Sequence, residues 1–375
     1  NAIYVPIESS YEAALVVNVT VYPVRNLREL VDHFQDIKKI EPLKHIEIQE
    51  LVIDANFDVD LVDVAGQEQA KRALTIAASG GHNLLMFGPP GTGKTMLAKG
   101  MAGILPPLSS QEALEVTRIY SVAGLLDSGE SLVRRRPYRH PHHGVSPAGM
   151  VGGGSNPMPG EVSLAHLGIL FLDEMAEFPR SVLESLRQPM EDGTVSIVRA
   201  IAHVSYPASF TLLAAVNPCP CGYLGHPRRE CKCTDKMIRK YRSRISGPIL
   251  DRIDLHVHVP AVELEKLSTE NPNLKSQSSN QIRNLVISAR KIQELRFTGD
   301  KIYTNSQMGN KQVKKYCELT PDVTRILKLA VEKFDLSARS YFRLIKVART
   351  IADLEKSDKI LVNHMAEALQ YRQQI

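Results

Sequence analysis

Residues 82–95 read HNLLMFGPPGTGKT, an apolar run that ends in a glycine-rich loop. The loop fits the pattern G-x-x-x-x-G-K-[ST], in which glycines let backbone N–H groups wrap around phosphates and the lysine reaches the terminal phosphates. A helix that begins at the lysine would also point its positive end at the anion. The sequence therefore predicts a phosphate loop that binds ATP, with the Thr95 hydroxyl as a ligand of Mg²⁺. The candidate nucleotide-binding residues are Gly88, Pro89, Pro90, Gly91, Thr92, Gly93, Lys94, Thr95 and Met96.

Three further apolar runs follow, at residues 168–172, 210–216 and 255–259, with helical patterns between them. Continuous apolar strands that alternate with helices indicate a parallel sheet covered on both faces. After Pro260 comes a polar stretch rich in Ser, Asn and Gln, and then one helical pattern after another without strand signals. We therefore predict an α/β fold: a phosphate-loop parallel sheet covered by helices, followed by a small all-helical domain.

The predicted domain boundaries follow these changes of pattern, and 375 residues are enough for more than one core. An apolar run at residues 14–23 predicts a strand, and Asn26 is a plausible cap for a short helix after it. Those two elements bury too little to fold alone, so residues 1–36 are interpreted as the end of a preceding domain. The other predicted divisions are a linker at 37–61, the α/β core at 62–262, a linker at 263–280 and the helical domain at 281–375.

Two acids end the second apolar run, which reads LFLDE at residues 170–174. At the end of a buried strand, Asp173 would lie beside the phosphate loop and help to hold Mg²⁺, and Glu174 would polarise the attacking water. Alone, such a pair can simply cap a helix, but its combination with the phosphate loop favours hydrolysis. The third run ends at Asn217, whose amide could orient that water, although a residue before Pro218 can also be a turn residue.

Basic residues supply two further kinds of candidate. Arg252 precedes the fourth apolar run and Arg339 lies at a predicted helix start. An arginine that neutralises a transferring phosphoryl group can be worth about 10³–10⁵ in rate, but arginines are common and neither position is diagnostic alone. The net charge of +5 is mild, yet basic residues cluster at 134–139 and 228–244. These clusters are either solvated surface or contacts to a polyanion.

Four of the five cysteines form two close pairs with nine residues between them. Four thiolates at such spacing could hold one structural Zn²⁺, with free thiols and redox chemistry as the alternatives. Disulfides are disfavoured in a reducing cytosol, and Cys317 is predicted to lie in the core. Histidines at 140–143 look like ligands, but Pro141 and Gly144 break any helix that could align them. The candidate zinc ligands are Cys219, Cys221, Cys231 and Cys233.

The sequence shows no mark of a membrane or secreted protein. No apolar run reaches about 18 residues, the length needed to span a bilayer, and no secretory signal opens the chain. The sequence begins at Asn1 in the middle of a pattern, so we expect further sequence upstream. These features predict a cytoplasmic location.

Longer strings point to a family. They are RPYRHPHH at 136–143, GGGSNPMPGEVSLAHLGILFLDE at 152–174, NPCPCGYLGHPRRECKC at 217–233 and LSARSYFRLIKVARTIADL at 336–354. Together with the phosphate loop they are similar to the magnesium-chelatase-like branch of AAA+ ATPases and, within it, to the ComM/YifB family. By this resemblance residues 88–95 match Walker A, Asp173 and Glu174 match Walker B, and Asn217 matches sensor 1.

The resemblance also implies an assembly. Arg252 matches the arginine finger, which acts on the ATP of a neighbouring subunit, and Arg339 matches sensor 2, which acts from a helical lid on the ATP of its own chain. The family implies homo-hexamers that encircle single-stranded or branched DNA and drive branch migration during natural transformation. Residues 1–36 would then end a Lon-like domain, and the glycine-rich segment 148–160 and a hairpin near 195–209 would be inserts that face the pore.

Three functions stay open at the level of sequence. The first is an ATP-driven DNA motor, which the basic, cysteine-bearing segment favours. The second is a chelatase-type motor that remodels a protein partner during metal insertion into a porphyrin, and a metal-ion-binding partner domain, which the sequence does not show, would favour it. The third, a nucleotide-sensing scaffold without turnover, is disfavoured by Glu174.

Overall fold

Five parallel strands form the centre of the fold. The computed structural model describes residues 2–14, 16, 18–45, 59–126, 132–154, 157–198, 203–226, 228–261, 277–334 and 336–372. The strands are β1 Ala2–Pro6, β2 Thr20–Val24, β3 Leu84–Phe87, β4 Tyr138–Arg139, β5 Gly152–Gly153, β6 Met158–Pro159, β7 Ile169–Leu172, β8 Thr194–Val198, β9 His203–Pro207, β10 Thr211–Val216 and β11 Leu255–His258. The helices are α1 Ser10–Ala13, α2 Leu27–Phe34, α3 Glu68–Gly80, α4 Lys94–Ile104, α5 Ser110–Val122, α6 Pro147–Val151, α7 Glu161–Leu164, α8 Arg180–Ser185, α9 Pro189–Asp192, α10 Asp235–Arg242, α11 Gly247–Leu250, α12 Ser279–Arg296, α13 Asn310–Tyr316, α14 Pro321–Phe334, α15 Ala338–Leu354 and α16 Val362–Gln370.

The central sheet has the strand order β11-β3-β10-β7-β4, and its pairings are all parallel. Four of these strands coincide with the four apolar runs, so the predicted α/β fold with a helical region after it is confirmed. The sequence pattern does not reveal β4, because it is only two residues long and contains no apolar run. It joins the edge of the sheet by pairing Tyr138 with Ile169 and Arg139 with Leu170.

Alternate residues along each central strand enter two separate cores, as the pleat of a strand requires. On one face Leu84, Met86 and Phe171 pack against α3, α4 and the C-terminal helices. On the other face Leu85 and Leu170 pack against α8 and the segments around it. Both faces of the sheet are therefore covered, which is why β3 and β7 are apolar at every position and β10 is apolar after Thr211. The edge strand β11 instead alternates, with His256 after Leu255 and His258 after Val257.

The C-terminal helices dock onto the ends of two core helices. The Arg290 guanidinium donates to the carbonyl of Ala78 at 2.7 Å, and Arg283 Nε donates to the carbonyl of Gly103 at 2.7 Å. These carbonyls belong to the last turns of α3 and α4, where a helix leaves acceptors unsatisfied and where positive charge is favourable. The helical region is thus fixed to α4, the helix that begins at the phosphate loop.

The N-terminal segment differs in part from its prediction. Asn26 caps α2 as expected, because its side chain accepts the N–H of Glu29 at 2.9 Å. The strand predicted at 14–23 is observed only as β2, which begins at Thr20. Asn18 adopts a left-handed φ of 64°, which interrupts the extended chain immediately before it.

Both predicted linkers lie partly outside the described residues, at 46–58 and 262–276. Helix α12 begins at Ser279, inside the second predicted linker. The domain limits therefore stay predictions. Among the helices that the structure describes, none combines the length and the apolar character needed to cross a membrane.

Candidate functional site

The phosphate loop lies at the carboxyl edge of the sheet, between β3 and α4. Gly88 follows β3, and a Cβ at this position would stand 2.0 Å from the carbonyl oxygen of Val259, which leaves room only for glycine. Gly93 has φ 87° and precedes the first residue of α4. A left-handed φ is accessible to glycine at little cost, so the chain can turn directly from the loop into the helix.

Lys94 is the buried cation of this loop. Its Nζ donates to the carbonyl oxygens of Gly88 at 2.8 Å and Pro89 at 2.7 Å, and it lies 3.4 Å from Oδ1 of Asn217. Burial lowers the pKa of Lys94. Among the described residues it hydrogen-bonds to no carboxylate, and the charges of Asp173 and Glu174 only partly offset the effect of burial.

The two acids stand at the carboxyl end of β7, beside the first turn of α4. The Thr95 hydroxyl donates to Asp173 Oδ2 at 2.9 Å. Asp173 Oδ1 accepts the backbone N–H of Glu174 at 3.0 Å, and Glu174 is exposed with a left-handed φ of 50°. Such a backbone is uncommon for a residue other than glycine and is concentrated at functional sites. The left-handed residue Glu174 turns the chain immediately after β7, so that both acids lie at the end of the strand.

Three adjacent strands therefore bring the predicted hydrolytic residues to one edge. Lys94 and Thr95 follow β3, Asp173 and Glu174 follow β7, and Asn217 follows β10, which pairs with both other strands. The convergence of Lys94, Thr95, Asp173 and Asn217 is thus observed, while their chemical roles stay predictions.

The groups at this edge fit Mg·ATP. A buried lysine whose hydrogen bonds go to backbone carbonyls and the start of an eleven-residue helix suit a polyphosphate. The hydroxyl of Thr95 and the carboxylate of Asp173 are hard oxygen ligands of the kind Mg²⁺ uses together with substrate phosphates. Lys94, Thr95 and Asp173 are accordingly the residues that would hold the nucleotide and its metal ion.

Arg252 and Arg339 meet on a single carboxylate. Arg252 lies 2.8 Å and Arg339 lies 2.6 Å from Oε1 of Glu191 in α9. Arg252 is almost buried, with a side chain 6% exposed, whereas Arg339 is 46% exposed. The carbonyl of Pro248 also accepts from Arg252 at 2.6 Å. Glu191 therefore joins the core arginine to the first turn of α15.

This arginine pair lies toward the opposite edge of the sheet from the phosphate loop. Arg252 precedes β11, and its carbonyl accepts the side chain of Asn83, the residue before β3, at 3.0 Å. The four residues of β3 span about 13 Å, and this length separates Asn83 at the start of the strand from the phosphate loop at its end. The expectation that Arg339 acts on the ATP of its own chain does not fit this position, because Glu191 holds it beside Arg252 instead.

The four clustered cysteines converge, as their spacing predicts. The sulfur atoms of Cys219, Cys221, Cys231 and Cys233 all lie within 4.8 Å of one another, and none of them forms a disulfide. A hydrogen bond from the backbone of Tyr223 lowers the pKa of Cys221 to about 6. Cys317 is buried in the core, as predicted. In the described part of the chain, the histidines at 140–143 do not take part in such a cluster.

The two basic clusters have different surroundings. In the first, Arg136 pairs with Glu112 at 2.9 Å and Arg139 pairs with Glu161 at 2.7 Å, so half of that cluster is structural. In the second, which we call the basic segment, eight exposed residues extend from the cysteine loop through α10: Arg228, Arg229, Lys232, Lys236, Arg239, Lys240, Arg242 and Arg244. Among the described residues only Arg244 of these pairs with a carboxylate, that of Glu177 at 2.6 Å.

The two expected inserts are both hairpins and they contact each other. Strands β5 and β6 form one, and β8 and β9 form the other. The Tyr206 hydroxyl donates to the carbonyl of Pro157 at 2.9 Å, which joins the two. Their tips at 155–156 and 199–202 lie outside the described residues, and Val198 beside one tip is 66% exposed. Contact with a pore stays a prediction.

Sequence reasoning missed two residues that shape these sites. Glu191 gave no signal, because its partners are 61 and 148 positions away. Gln67 has a left-handed φ of 61°, and its side chain donates to the carbonyls of Pro260 at 2.7 Å and Thr92 at 3.4 Å. The Gly66–Gln67 pair is a turn signal that could have indicated the bend, although not the contact with the phosphate loop.

Comparison with known families agrees with this architecture. Residues 60–267 match the family described as "Magnesium chelatase, subunit ChlI", and residues 276–372 match "Magnesium chelatase, subunit ChlI C-terminal". The chain belongs to the magnesium-chelatase-like family of AAA+ ATPases, in the group that contains YifB and ComM.

Its similarity to individual relatives extends over most of the chain. "Uncharacterized protein YifB" of Salmonella typhimurium is 45% identical over 347 residues, which are 92% of this chain and 67% of the relative. "Competence protein ComM" of Haemophilus influenzae is 42% identical over 372 residues, which are 97% of this chain and 70% of the relative. "Magnesium-chelatase 67 kDa subunit" of Heliobacterium mobile is 29% identical over 56% of this chain and 34% of its own length. The predicted ComM/YifB resemblance is therefore confirmed.

Proposed function

We propose that this chain is one subunit of a ring that hydrolyses ATP at subunit boundaries and uses the energy to move along DNA and shift branch points. The observation that carries the DNA part is the basic segment, whose exposed cations begin at Arg228 at the end of the cysteine loop that follows Asn217. A relative named as a competence protein supports a role in natural transformation. We propose that this enzyme acts in the cytoplasm.

The residues at the carboxyl edge would divide the work of hydrolysis. Bound Mg·ATP supplies the reacting phosphoryl group and a metal ion that offsets its charge. Lys94 would bind the terminal phosphates, and Thr95 and Asp173 would hold the Mg²⁺. Glu174 would orient the attacking water and accept its proton. Asn217 would fix the position of that water or of the γ-phosphate.

The position of the arginine pair supports the ring. Arg252 and Arg339 share Glu191 on the far side of a four-residue strand from the phosphate loop, and this separation favours action on an ATP other than that of their own chain. A head-to-tail contact would bring them to the ATP of a neighbour, and a rotation that closes such contacts gives a cyclic assembly. We propose that both arginines act in trans and that the assembly is a hexamer, as the family resemblance implies.

The first test compares ATP hydrolysis with and without DNA. Single-stranded and four-way junction DNA should each raise the hydrolysis rate of the wild-type protein. Glu174→Gln should bind ATP and lower hydrolysis by about 10²–10⁴-fold, the range lost with a general base. If the wild-type protein hydrolyses ATP at a rate that neither kind of DNA changes, the result would contradict the proposed DNA motor.

The second test assigns the DNA contact to the basic segment. Lys236→Gln, Arg239→Gln and Lys240→Gln in one variant should weaken binding to single-stranded DNA and reduce its log–log salt slope by about 2, since each phosphate contact contributes about 0.7. A matched control changes three exposed lysines of the helical region: Lys311→Gln, Lys314→Gln and Lys328→Gln. Equal losses in both variants would mean that net charge, rather than this segment, binds DNA.

A second candidate function rests on the family match to the ChlI subunit of magnesium chelatase. In that case the ring would remodel a protein partner during metal insertion, and the basic segment would be only a solvated surface. Stimulation of hydrolysis by DNA separates the two functions, because a chelatase-type remodeller has no reason to respond to it.

A further inference from the structure

The four-cysteine cluster has the dimensions of an occupied metal site rather than of two disulfides. The Cys219 sulfur lies 3.4 Å from that of Cys221 and 3.6 Å from that of Cys231, and the Cys221 and Cys231 sulfurs are 3.6 Å apart. A disulfide requires about 2.05 Å between sulfurs. Four thiolates about 2.3 Å from one Zn²⁺ stand about 3.8 Å from one another, the edge of a tetrahedron. The observed spacing is close to the second arrangement.

Two backbone donors are directed at sulfur atoms of the cluster. The N–H of Cys233 donates to the Cys231 sulfur at 3.5 Å, and a backbone hydrogen bond from Tyr223 reaches Cys221. Such outer hydrogen bonds are a regular feature of metal sites, because they offset the negative charge gathered on the ligands. Cys317 provides a contrast within the same chain, since it is buried in the apolar core and its sulfur neighbour is Met308 at 4.0 Å.

The cluster joins the two ends of the loop between β10 and α10. Between β10 and α10 the described residues form only short turns, such as those from Gly222 to Cys219 and from His226 to Tyr223. Cys219 and Cys221 lie at the start of this loop and Cys231 and Cys233 at its end, just before Thr234 caps α10. One metal ion bound to both pairs would therefore join the end of β10 to the start of the basic helix.

The same loop touches the nucleotide site. A Cβ at Gly222 would stand 2.7 Å from Cδ of Pro90 in the phosphate loop, so the two loops are in direct contact. Leu224 and Gly225 form one wall of a cavity of about 310 Å³ whose other walls include Asn217 and Tyr241. The position of the cysteine loop thus fixes the surroundings of both the phosphate loop and Asn217.

We propose that Cys219, Cys221, Cys231 and Cys233 bind one structural Zn²⁺ that holds the basic segment beside the phosphate loop. The ion closes its tetrahedron with protein ligands and leaves no position for a substrate, which is typical of structural rather than catalytic zinc. The ion thus fixes where the basic helix begins, while the Thr234 cap and the buried Tyr241 hold the helix itself.

Metal analysis tests the site itself. Full-length chain purified under reducing conditions should contain about one zinc per chain, the stoichiometry of a closed four-thiolate site. Cys231→Ser with Cys233→Ser should abolish that zinc, whereas the control Cys317→Ser should keep it. A wild-type protein without stoichiometric zinc, or a double variant that retains it, would overturn the proposal. If the double variant does not fold, Co²⁺ exchanged into the wild type gives the same decision, because four thiolates impose the absorption spectrum of a tetrahedral sulfur site.

Limited proteolysis tests the role of the ion. Trypsin should cleave the basic segment at least tenfold faster after a chelator removes zinc from the wild-type protein, and added zinc should restore protection. Cleavage at exposed lysines of α13, such as Lys311 and Lys314, is the internal control and should not change. Equal cleavage of the basic segment with and without zinc would overturn the ordering role. Neither readout depends on ATP hydrolysis or DNA, so failure of the proposed motor would leave both decisive.

Discussion

Mixing of two inactive variants tests whether Arg252, at the edge of the sheet opposite the phosphate loop, acts on the ATP of a neighbouring subunit. In Arg252→Ala the chain keeps Lys94, Asp173 and Glu174 at its own phosphate loop but lacks the Arg252 guanidinium that a neighbour would need. In Glu174→Gln the chain keeps Arg252 but cannot activate water. Each variant alone should lose at least about 10²-fold in ATP hydrolysis, because the base and the arginine each contribute that much or more.

The expected recovery follows from the separation of the two edges. A boundary is intact when the Arg252→Ala chain supplies the phosphate loop and the Glu174→Gln chain supplies the arginine. In an equal random mixture each condition is met half of the time, so about one quarter of the boundaries in a head-to-tail ring regain both groups. If Arg252 acted on its own chain, every subunit would carry one defect in its own site and the recovery would be zero.

The assay is the steady-state rate of ATP hydrolysis after the two variants are unfolded together and refolded, or coexpressed. A matched control mixes Glu174→Gln with Lys94→Ala, and it should show no recovery because both defects lie in the site of their own chain. Replacing Arg252→Ala by Arg339→Ala asks the same question of the second arginine, and its position beside Glu191 predicts recovery there too. A mixture no more active than its components, formed from subunits shown to assemble together, would refute the trans arrangement.

Three further predictions concern stability and are measured by urea denaturation. Glu191→Gln leaves two guanidinium groups about 5 Å apart, where they repel by about 3 kcal/mol at a dielectric constant of about 20; since Arg339 is 46% exposed, we expect a loss of about 1–2 kcal/mol. Adding Arg339→Gln should restore most of it, and simple additivity would contradict the shared carboxylate. Burial raises the pKa of Asp254, but Arg343 at 2.8 Å and His82 outweigh burial and hold that pKa below its ordinary value. Its stabilisation is therefore present above the ordinary carboxyl pKa of about 3.9 and is lost as the pH falls below it, so Asp254→Asn should cost about 3–5 kcal/mol at neutral pH and less in acid. A difference as large at about pH 2 as at pH 7 would argue against this linkage. Gly88→Ala should destabilise far more than Gly91→Ala, because its Cβ would meet the Val259 carbonyl whereas the Cβ at Gly91 meets nothing within 4 Å and suffers only from a φ of 75°; equal losses would contradict the clash at Gly88.

The central sheet was predictable because its strands are buried on both faces. Burial makes every residue of β3 and β7, and every residue of β10 after Thr211, apolar, and this pattern is visible without any knowledge of the partners. Strand β4 escaped prediction because two residues carry no periodicity, and only their pairing with Ile169 and Leu170 makes them a strand. Asn26 was predictable for the opposite reason, because it caps α2 through a contact with Glu29, only three residues away.

In the candidate site, too, the residues marked by a local pattern were predictable and those held by long-range contacts were not. Residues that follow predicted strands, such as Lys94, Asp173 and Asn217, were found because parallel strands end at one edge of a sheet. The surroundings of Arg139 were not predictable, since a neighbouring run of arginines suggested a polyanion contact while Glu161, 22 positions away, binds it inside the protein. Long-range ion pairs leave no local pattern in the sequence. The sequence alone therefore does not show which charges of a cluster are exposed to solvent and which are paired inside the protein.

Asn217 stands where the three parts of the proposed motor meet. Its side chain lies 3.4 Å from Lys94, and the chain reaches Cys219 two residues later. Burial raises the pKa of Tyr241 in the basic helix to about 12, while a hydrogen bond to the backbone of Asn217 acts in the opposite direction. A displacement of Asn217 in response to the γ-phosphate would therefore move α10 directly. The C-terminal helices contact α3 and α4 on the other face of the sheet, so this path from Asn217 to α10 does not pass through them.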